Sequence, residues 1–269
     1  MHPVVVPLNV SWFSAGVSSA VATKLVRSEL DMIIYTHIDD QHPDTMRFVR
    51  DCQKWFWMDV DVLASPYKSV GNALRQMRFI NSPHGSACTK LLKRRVRQEW
   101  EMGITRPLVY FWGYDASEQD RADKVRAAMP KQEHRFPLIE NGIGKEEAHQ
   151  MLKAAGIKRP AMYDLGYHNN NCVGCVKGGK GYWNKIRVDF PEVFAARAEL
   201  ERRVGASCIH TKEEGRVFLD ELDQKAGRHE GPICDDCGIM CEIFADAVHR
   251  HNPRVDGTAD EQAKKEQGT

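Results

Sequence analysis

The chain has 269 residues, with 38 Lys and Arg against 37 Asp and Glu and a formal net charge of +1. That balance gives no electrostatic reason to expect a nucleic-acid or membrane-surface partner, and no stretch is apolar for transmembrane length. The length suffices for one good core with a small satellite domain. Eight cysteines are many for a reducing compartment, and five of them fall in two close groups rather than in a disulfide framework. The N-terminus lacks a charged segment followed by an apolar core. We expect a soluble cytoplasmic protein with a metal or thiol site.

Val4 to Phe13 is an apolar run interrupted by Pro7, Asn9 and Ser11, and Ser18 to Leu30 is amphipathic. Between them lies Ser14-Ala15-Gly16-Val17-Ser18-Ser19. Strand, small-residue loop and helix form the arrangement that points backbone N–H groups at an anion, with hydroxyls of Ser14, Ser18 and Ser19 as further donors. A plain structural turn is the competing reading. Met32 to Ile38 reads as a buried strand ending in Asp39-Asp40, Asp44 to Trp57 as a helix, and Val60 to Leu63 as a third strand. This rhythm predicts a parallel sheet with ligands beyond the carboxyl ends of its strands. Both the Ser14 loop and Asp39 fall there. Asp39 could bind a ribose hydroxyl or a metal, or simply cap a helix.

Residues 67 to 103 read as mainly helical, broken near Ser82-Pro83-His84-Gly85. The run Cys88-Thr89-Lys90-Leu91-Leu92-Lys93-Arg94-Arg95 is either a solvated helical face or a clamp on sulfate or phosphate oxygens. Leu108 to Trp112 is the next strand, and Gly113-Tyr114-Asp115 places a turn and a carboxylate on the edge of the Ser14 loop. Glu118 to Met129 reads as a polar helix with Arg121 and Arg126 available. Phe136 to Ile139 reads as a short strand or extended segment, and Lys145 to Ala155 as a helix ended by Gly156 and Pro160. Pro191 to Val204 is a later helix.

The most specific spacing is Cys172-x2-Cys175 taken with Cys234-x2-Cys237 or Cys237-x3-Cys241. Thiolates two or three residues apart bind one metal from a single turn, and two such turns complete a site for zinc or an iron–sulfur cluster. One of the five is surplus and could be a nucleophile or resolving cysteine. Cys52 and Cys208 read as packing residues. Cys88 adjoins the basic run, where cations would lower its pKa, and is a second candidate nucleophile. Lys177, Lys180, Lys185 and Arg187 form a local patch able to touch phosphates. The boundaries expected are a nucleotide-binding α/β domain over 1–160, a cysteine-rich metal-binding subdomain over 161–250 and a disordered tail over 251–269.

In order and spacing these segments resemble the phosphoadenosine phosphosulfate (PAPS) reductase family of the adenine nucleotide α-hydrolase (PP-loop) superfamily, in particular the small reductase-like proteins of bacteriophages and prophages. The resemblance covers most of residues 8 to 244. Ser14 to Ser19 is similar to the family's Ser-Gly-Gly-x-Asp-Ser or Ser-Gly-Gly-Lys-Thr-Ser loop. His42-Pro43-Asp44-Thr45 matches its Pro-Glu-Thr, Cys88 to Lys93 its Cys-Thr-x-x-Leu-Lys element, and Asn171-Cys172-Val173-Gly174-Cys175 with Lys177-Gly178 its cysteine knuckle. Gly113-Tyr114-Asp115 and Pro137-Leu138-Ile139-Glu140 fall where the family has similar segments.

The departures are specific. Ala15 replaces a glycine and Ser18 the loop aspartate, which weighs against ATP pyrophosphatase activity. Asp236-Cys237-Gly238-Ile239-Met240 approximates the nucleophile motif Glu-Cys-Gly-x-His, with Met240 in place of histidine. Ala87 precedes Cys88 where adenylylsulfate reductases have a double cysteine.

The resemblance implies an α/β fold with a parallel twisted sheet flanked by helices, Rossmann-like, and a cysteine-rich C-terminal helical subdomain. It implies an oxidoreductase that binds an adenine nucleotide or sulfonucleotide through Ser14 to Ser19, Asp39, Lys90, Lys93, Gly113 and Asp115. Cys88 and Cys237 would be its reactive thiols, and Cys172, Cys175, Cys234, Cys237 and Cys241 the ligands of a 4Fe–4S cluster or zinc. Mg accompanies ATP if ATP is the nucleotide, and the reductant would be thioredoxin-like. The alternatives are an ATP-dependent sulfurtransferase acting on DNA or RNA, and a non-catalytic nucleotide-binding module stapled by zinc.

Overall fold

The computed structural model describes residues 5–82, 85–211 and 214–228. Five parallel strands form the central sheet: β1 (Leu8–Trp12), β2 (Met32–His37), β3 (Asp61–Ala64), β4 (Leu108–Phe111) and β5 (Glu133–Arg135). Their spatial order is 3-2-1-4-5. Val10 pairs with Met32 on one side of β1, and Leu8 pairs with Leu108 on the other. The chain therefore winds outward in both directions from the β1–β4 pair, and a crevice opens where the connections diverge.

Alternation along the strands separates two apolar layers. Ile33, Tyr35, Val109 and Phe111 face one side, where Val21 of helix α1 (Val17–Leu25) and Phe48 and Phe56 of α2 (Asp44–Phe56) cover them. Ile34 and Tyr110 face the other, against Phe136 and Val125. Both layers are dry, with Ile33, Ile34 and Tyr110 at 0% exposure.

A third apolar cluster surrounds Trp183 and joins segments from both halves of the sequence. Ile38, Leu74, Ile80, Cys88 and Leu92 meet Cys172, Cys175, Tyr182 and Leu200 there. The contributing helices are α3 (Val70–Met77), α4 (Ala87–Thr89, a π-helical turn at Lys90–Arg94, then Arg95–Glu101), α7 (Lys180–Asp189) and α8 (Pro191–Val204), whereas α5 (Gln119–Ala128) packs with the Tyr110 layer and α6 (Lys145–Ala154) with the Ile33 layer. A buried ion pair of Arg197 with Asp40, 3.1 Å, fastens α8 to the carboxyl end of β2.

Three boundaries differ from the sequence reading. The segment expected to be extended at Phe136–Ile139 is a helical turn, Pro137–Glu140, and the strand precedes it. Pro137 has no N–H to give a strand ladder and suits a first helical turn. Glu140 closes that turn by accepting from the Phe136 backbone N–H at 2.8 Å and from Arg135. The first helix stops at Leu25, with a 3-10 turn Arg27–Glu29 carrying the chain to β2. The break near Ser82 is a two-stranded ladder, Asn81–Ser82 with Gly85–Ser86. The cysteines at 234, 237 and 241 and the tail from 251 lie outside the described residues. Among the described residues no helix is long and apolar enough to cross a membrane.

Candidate functional site

The connection from β1 to α1 turns through Ala15, which has a φ of 59°. An L-residue pays for that left-handed conformation, and the buried Ala15 is held in it from outside. Asn170 donates to the Ala15 carbonyl at 2.9 Å and exchanges hydrogen bonds with the Thr45 hydroxyl. Asn170, in the three-asparagine run before the cysteine knuckle, is thus a clamp on the loop.

The turn aims its donors inward. Backbone N–H groups of Ser14 and Gly16 and the Ser14 hydroxyl all converge on Ser19 Oγ, at 3.2, 3.3 and 3.0 Å. Ser19 in turn donates to the Gly16 carbonyl at 3.0 Å. Convergent N–H groups at the start of a nine-residue helix are an arrangement chemically able to receive an anion, and here Ser19 Oγ takes that place. The Val17 N–H is directed to Tyr163 Oη at 3.3 Å. On the β4 side, a Cβ at Gly113 would stand 2.3 Å from Ser19 Cα. Only glycine permits β4 to end this close to the loop.

Around the loop lies a polar cleft of about 580 Å³, counted to its open mouth. Ser14, Gly16, Ser18 and Ser19 form its floor, with Gly113, Asp115 and Glu118 on one wall. Lys93, Lys145, Gln41, Tyr163, Asn169–Asn171 and Cys172 complete it. Lys145 Nζ is steadied by Asn169 Oδ1 at 2.8 Å. Asp115 caps its own turn by accepting from Ser117 N–H and Oγ at 3.0 and 2.6 Å, and Glu118 pairs with Arg121. Two lysines and a nest of N–H groups thus face two carboxylates that are already engaged.

A smaller, mostly apolar cavity of about 280 Å³ lies behind it, lined by Ile38, Val70, Cys88, Thr89, Lys93, Cys172, Cys175 and Val176. Lys93 and Cys172 belong to both walls. The Cys172–Cys175 turn is built by Gly174, φ 73°, and by the Tyr182 hydroxyl, which accepts from Cys175 N–H at 2.8 Å and donates to the Cys172 carbonyl at 3.3 Å. Burial raises the Tyr182 pKa well above its ordinary value, so the hydroxyl keeps its proton as a donor. Among the described residues no three His, Cys, Asp or Glu side chains are arranged to hold a single metal ion.

The structure brings together Ser14, Gly16, Ser18, Ser19, Lys93, Gly113, Asp115 and Cys172. Ala15 and Val17 contribute backbone only, since both side chains are fully buried. Asp39 stands apart, half exposed and 3.8 Å from His37, and its neighbour Asp40 is the residue built into the fold. Lys90 is not on the cleft wall, and Cys88 lines the rear cavity instead of the cleft. Cys52 and Cys208 are buried, as packing residues should be. Three of the four cations of the Lys177 patch are spoken for: Lys180 pairs with Glu214 and Lys185 with Asp189, while Arg187 donates to the Leu219 and Leu222 carbonyls. Gln41, Lys145, Tyr163 and Asn169–Asn170 were missed as site residues, because each looks like an ordinary helix or loop residue until the fold closes.

No family model matches the sequence. No curated protein matches it either. Among solved structures the chain is similar to the phosphate complex of phosphoadenylyl-sulfate (PAPS) reductase from Candida auris. The identity is 12%, the TM-score 0.43, and the match covers 61% of this chain and 81% of that one. Such a likeness assigns no residue and no activity.

Proposed function

We propose that the protein is a cytoplasmic enzyme that binds an adenine sulfonucleotide in the cleft and carries out thiol chemistry on its sulfur, as PAPS reductases do. The observation that carries this reading is that the Ser14–Ser19 loop, whose Ser14 and Gly16 N–H groups gather on Ser19 Oγ, lines one crevice beside β1 and β4 together with Lys93 and Lys145. N–H donors and ammonium groups together stabilise phosphate or sulfate oxygens. Gly113 lets the nucleotide lie against the sheet edge, and Asn170 holds the loop in its strained form before ligand arrives.

In this reading a thiolate attacks the sulfonate sulfur, an S–S bond forms, and the S–O bond to the nucleotide phosphate breaks. The released nucleotide takes the electron pair, with the charge on its phosphate met by Lys93 and the loop N–H groups. A second thiol, from a thioredoxin-like reductant, then displaces sulfite and leaves a disulfide. Cys237, which lies outside the described residues, is assigned the attacking role because the family resemblance places its nucleophile there.

The cofactor expectation rests on donor chemistry. Cys88, Cys172 and Cys175 are three sulfur donors around one buried cavity, a set suited to a thiolate-ligated group. Cys234 and Cys241 remain candidates for a further ligand. An iron–sulfur cluster there would supply a redox centre behind the cleft. Assigning Cys88 as a ligand removes it from the nucleophile role and frees Cys237 for it. The test is anaerobic incubation with PAPS and a dithiol. Release of sulfite and adenosine bisphosphate, lost in Cys237→Ser with nucleotide binding retained, is expected. Binding without turnover by the unaltered protein would instead identify a nucleotide-binding module.

A further inference from the structure

Beside the nucleotide cleft runs a second, open groove of about 1580 Å³, counted like the cleft to its open mouth and formed by α6 and the segment 157–168. It shares Lys145 and Tyr163 with the cleft, and Tyr163 Oη reaches the Val17 N–H at the start of α1. The two spaces therefore adjoin, with Tyr163 and Lys145 as their common wall. Lys145, Lys153, Lys158 and Arg159 face this groove, against one carboxylate, Glu146. Asp164 pairs with Arg159 at 2.7 Å from just outside. Lys153 and Lys158 have no ion-pair partner among the described residues. This contrasts with Lys180, Lys185 and Arg187, whose charges and donors are already used inside the fold. Rings lie between the cations: His149 packs edge-on against Tyr163 with centroids 4.7 Å apart, and His168 is exposed.

We propose that this groove binds the sugar–phosphate backbone of a nucleic acid, a macromolecular substrate or effector whose strand ends at the nucleotide cleft. Cations spaced along an open channel neutralise successive phosphates, and aromatic faces between them accept unstacked bases. The sequence-wide charge of +1 hides this surface because acids elsewhere balance it. The proposal goes beyond the sulfonucleotide reading. It gives the cleft a neighbouring acceptor strand, which a small-molecule reductase does not need.

The test is fluorescence anisotropy of the full-length protein with labelled single-stranded DNA and RNA of about 20 nucleotides, at about 50 and about 200 mM KCl. Lys153→Glu/Lys158→Glu is measured beside the unaltered chain, with adenine-nucleotide affinity as the control for folding. Binding that weakens with salt, and that falls about tenfold or more in the variant with nucleotide affinity unchanged, is expected. Absence of binding at low salt, or equal binding by the variant, overturns the proposal. Displacement of the oligonucleotide by polyglutamate at equal charge concentration also overturns it, since the groove would then be a dock for acidic protein. Oligonucleotide binding with no nucleotide binding leaves the groove standing and removes only the sulfonucleotide reading.

Discussion

Ser19 is the residue on which the proposed anion site turns, because one hydroxyl organises three converging donors. Ser19→Ala removes that hub, and adenine-nucleotide affinity should drop about tenfold, as expected for one or two lost polar contacts. Equilibrium binding measures this. Ala15 sets a different limit. At a φ of 59° with no exposed surface, a β-branched side chain meets both backbone strain and overpacking. Ala15→Val should therefore cost about 2–4 kcal/mol in denaturant unfolding, and a cost near zero would show that the loop is not held in this form. At Gly113 an added methyl would strike Ser19, so Gly113→Ala should weaken nucleotide binding even where the fold survives. At this scale the loop, Lys93, Gly113 and Asp115 were legible because small residues and a glycine after a strand carry a local signal. Lys145 and Asn170 were not. Their roles come from partners at Asn169 and Ala15, and no spacing rule links positions 24 or 155 residues apart.

Helix α6 carries the clearest pH dependence. Burial and the nearby Arg159 and Lys145 push the His149 pKa down to about 4. The unfolded chain then binds the proton more readily, so stability falls as pH drops from the ordinary histidine range near 6.5 towards 4. After discount for partial solvent exposure the loss is about 1–2 kcal/mol. His149→Phe should flatten this part of a thermal-denaturation profile. Asp44, held at about 2 by Arg47, adds a separate loss between about 3.8 and 2 that the same variant leaves intact. Helix α8 depends on its buried pair with Asp40. Arg197→Met should destabilise by about 3 kcal/mol by stranding a carboxylate, and Arg197→Met/Asp40→Asn by less than the two single changes combined. Most elements were readable from periodicity. The exception at Phe136 arose because an apolar run beside proline fits an extended segment and a helical turn equally well, and Glu140 decides between them by its contact with Phe136.

Across the whole molecule, the order 3-2-1-4-5 places the Ser14 loop and the Gly113 turn side by side at one crevice, where seven separate segments meet. The βαβ rhythm made the parallel sheet legible, and the Ser14 loop and Gly113 marked its carboxyl edge. What the sequence did not reveal is how the cysteines divide. Spacing groups Cys172 with Cys175, whereas Cys88 joins them only because α4 packs on the knuckle through the Trp183 cluster. If that cavity holds the metal group, Cys88→Ala should lower bound iron or zinc in the purified protein, measured against the unaltered chain. The most direct test of the central claim is calorimetric titration of the full-length protein with PAPS and with ATP, beside Lys93→Ala and Ser19→Ala. Saturable one-to-one binding of PAPS, weakened at least about tenfold by each change, is the expected result. No binding of either nucleotide, or affinity indifferent to both substitutions, would contradict it.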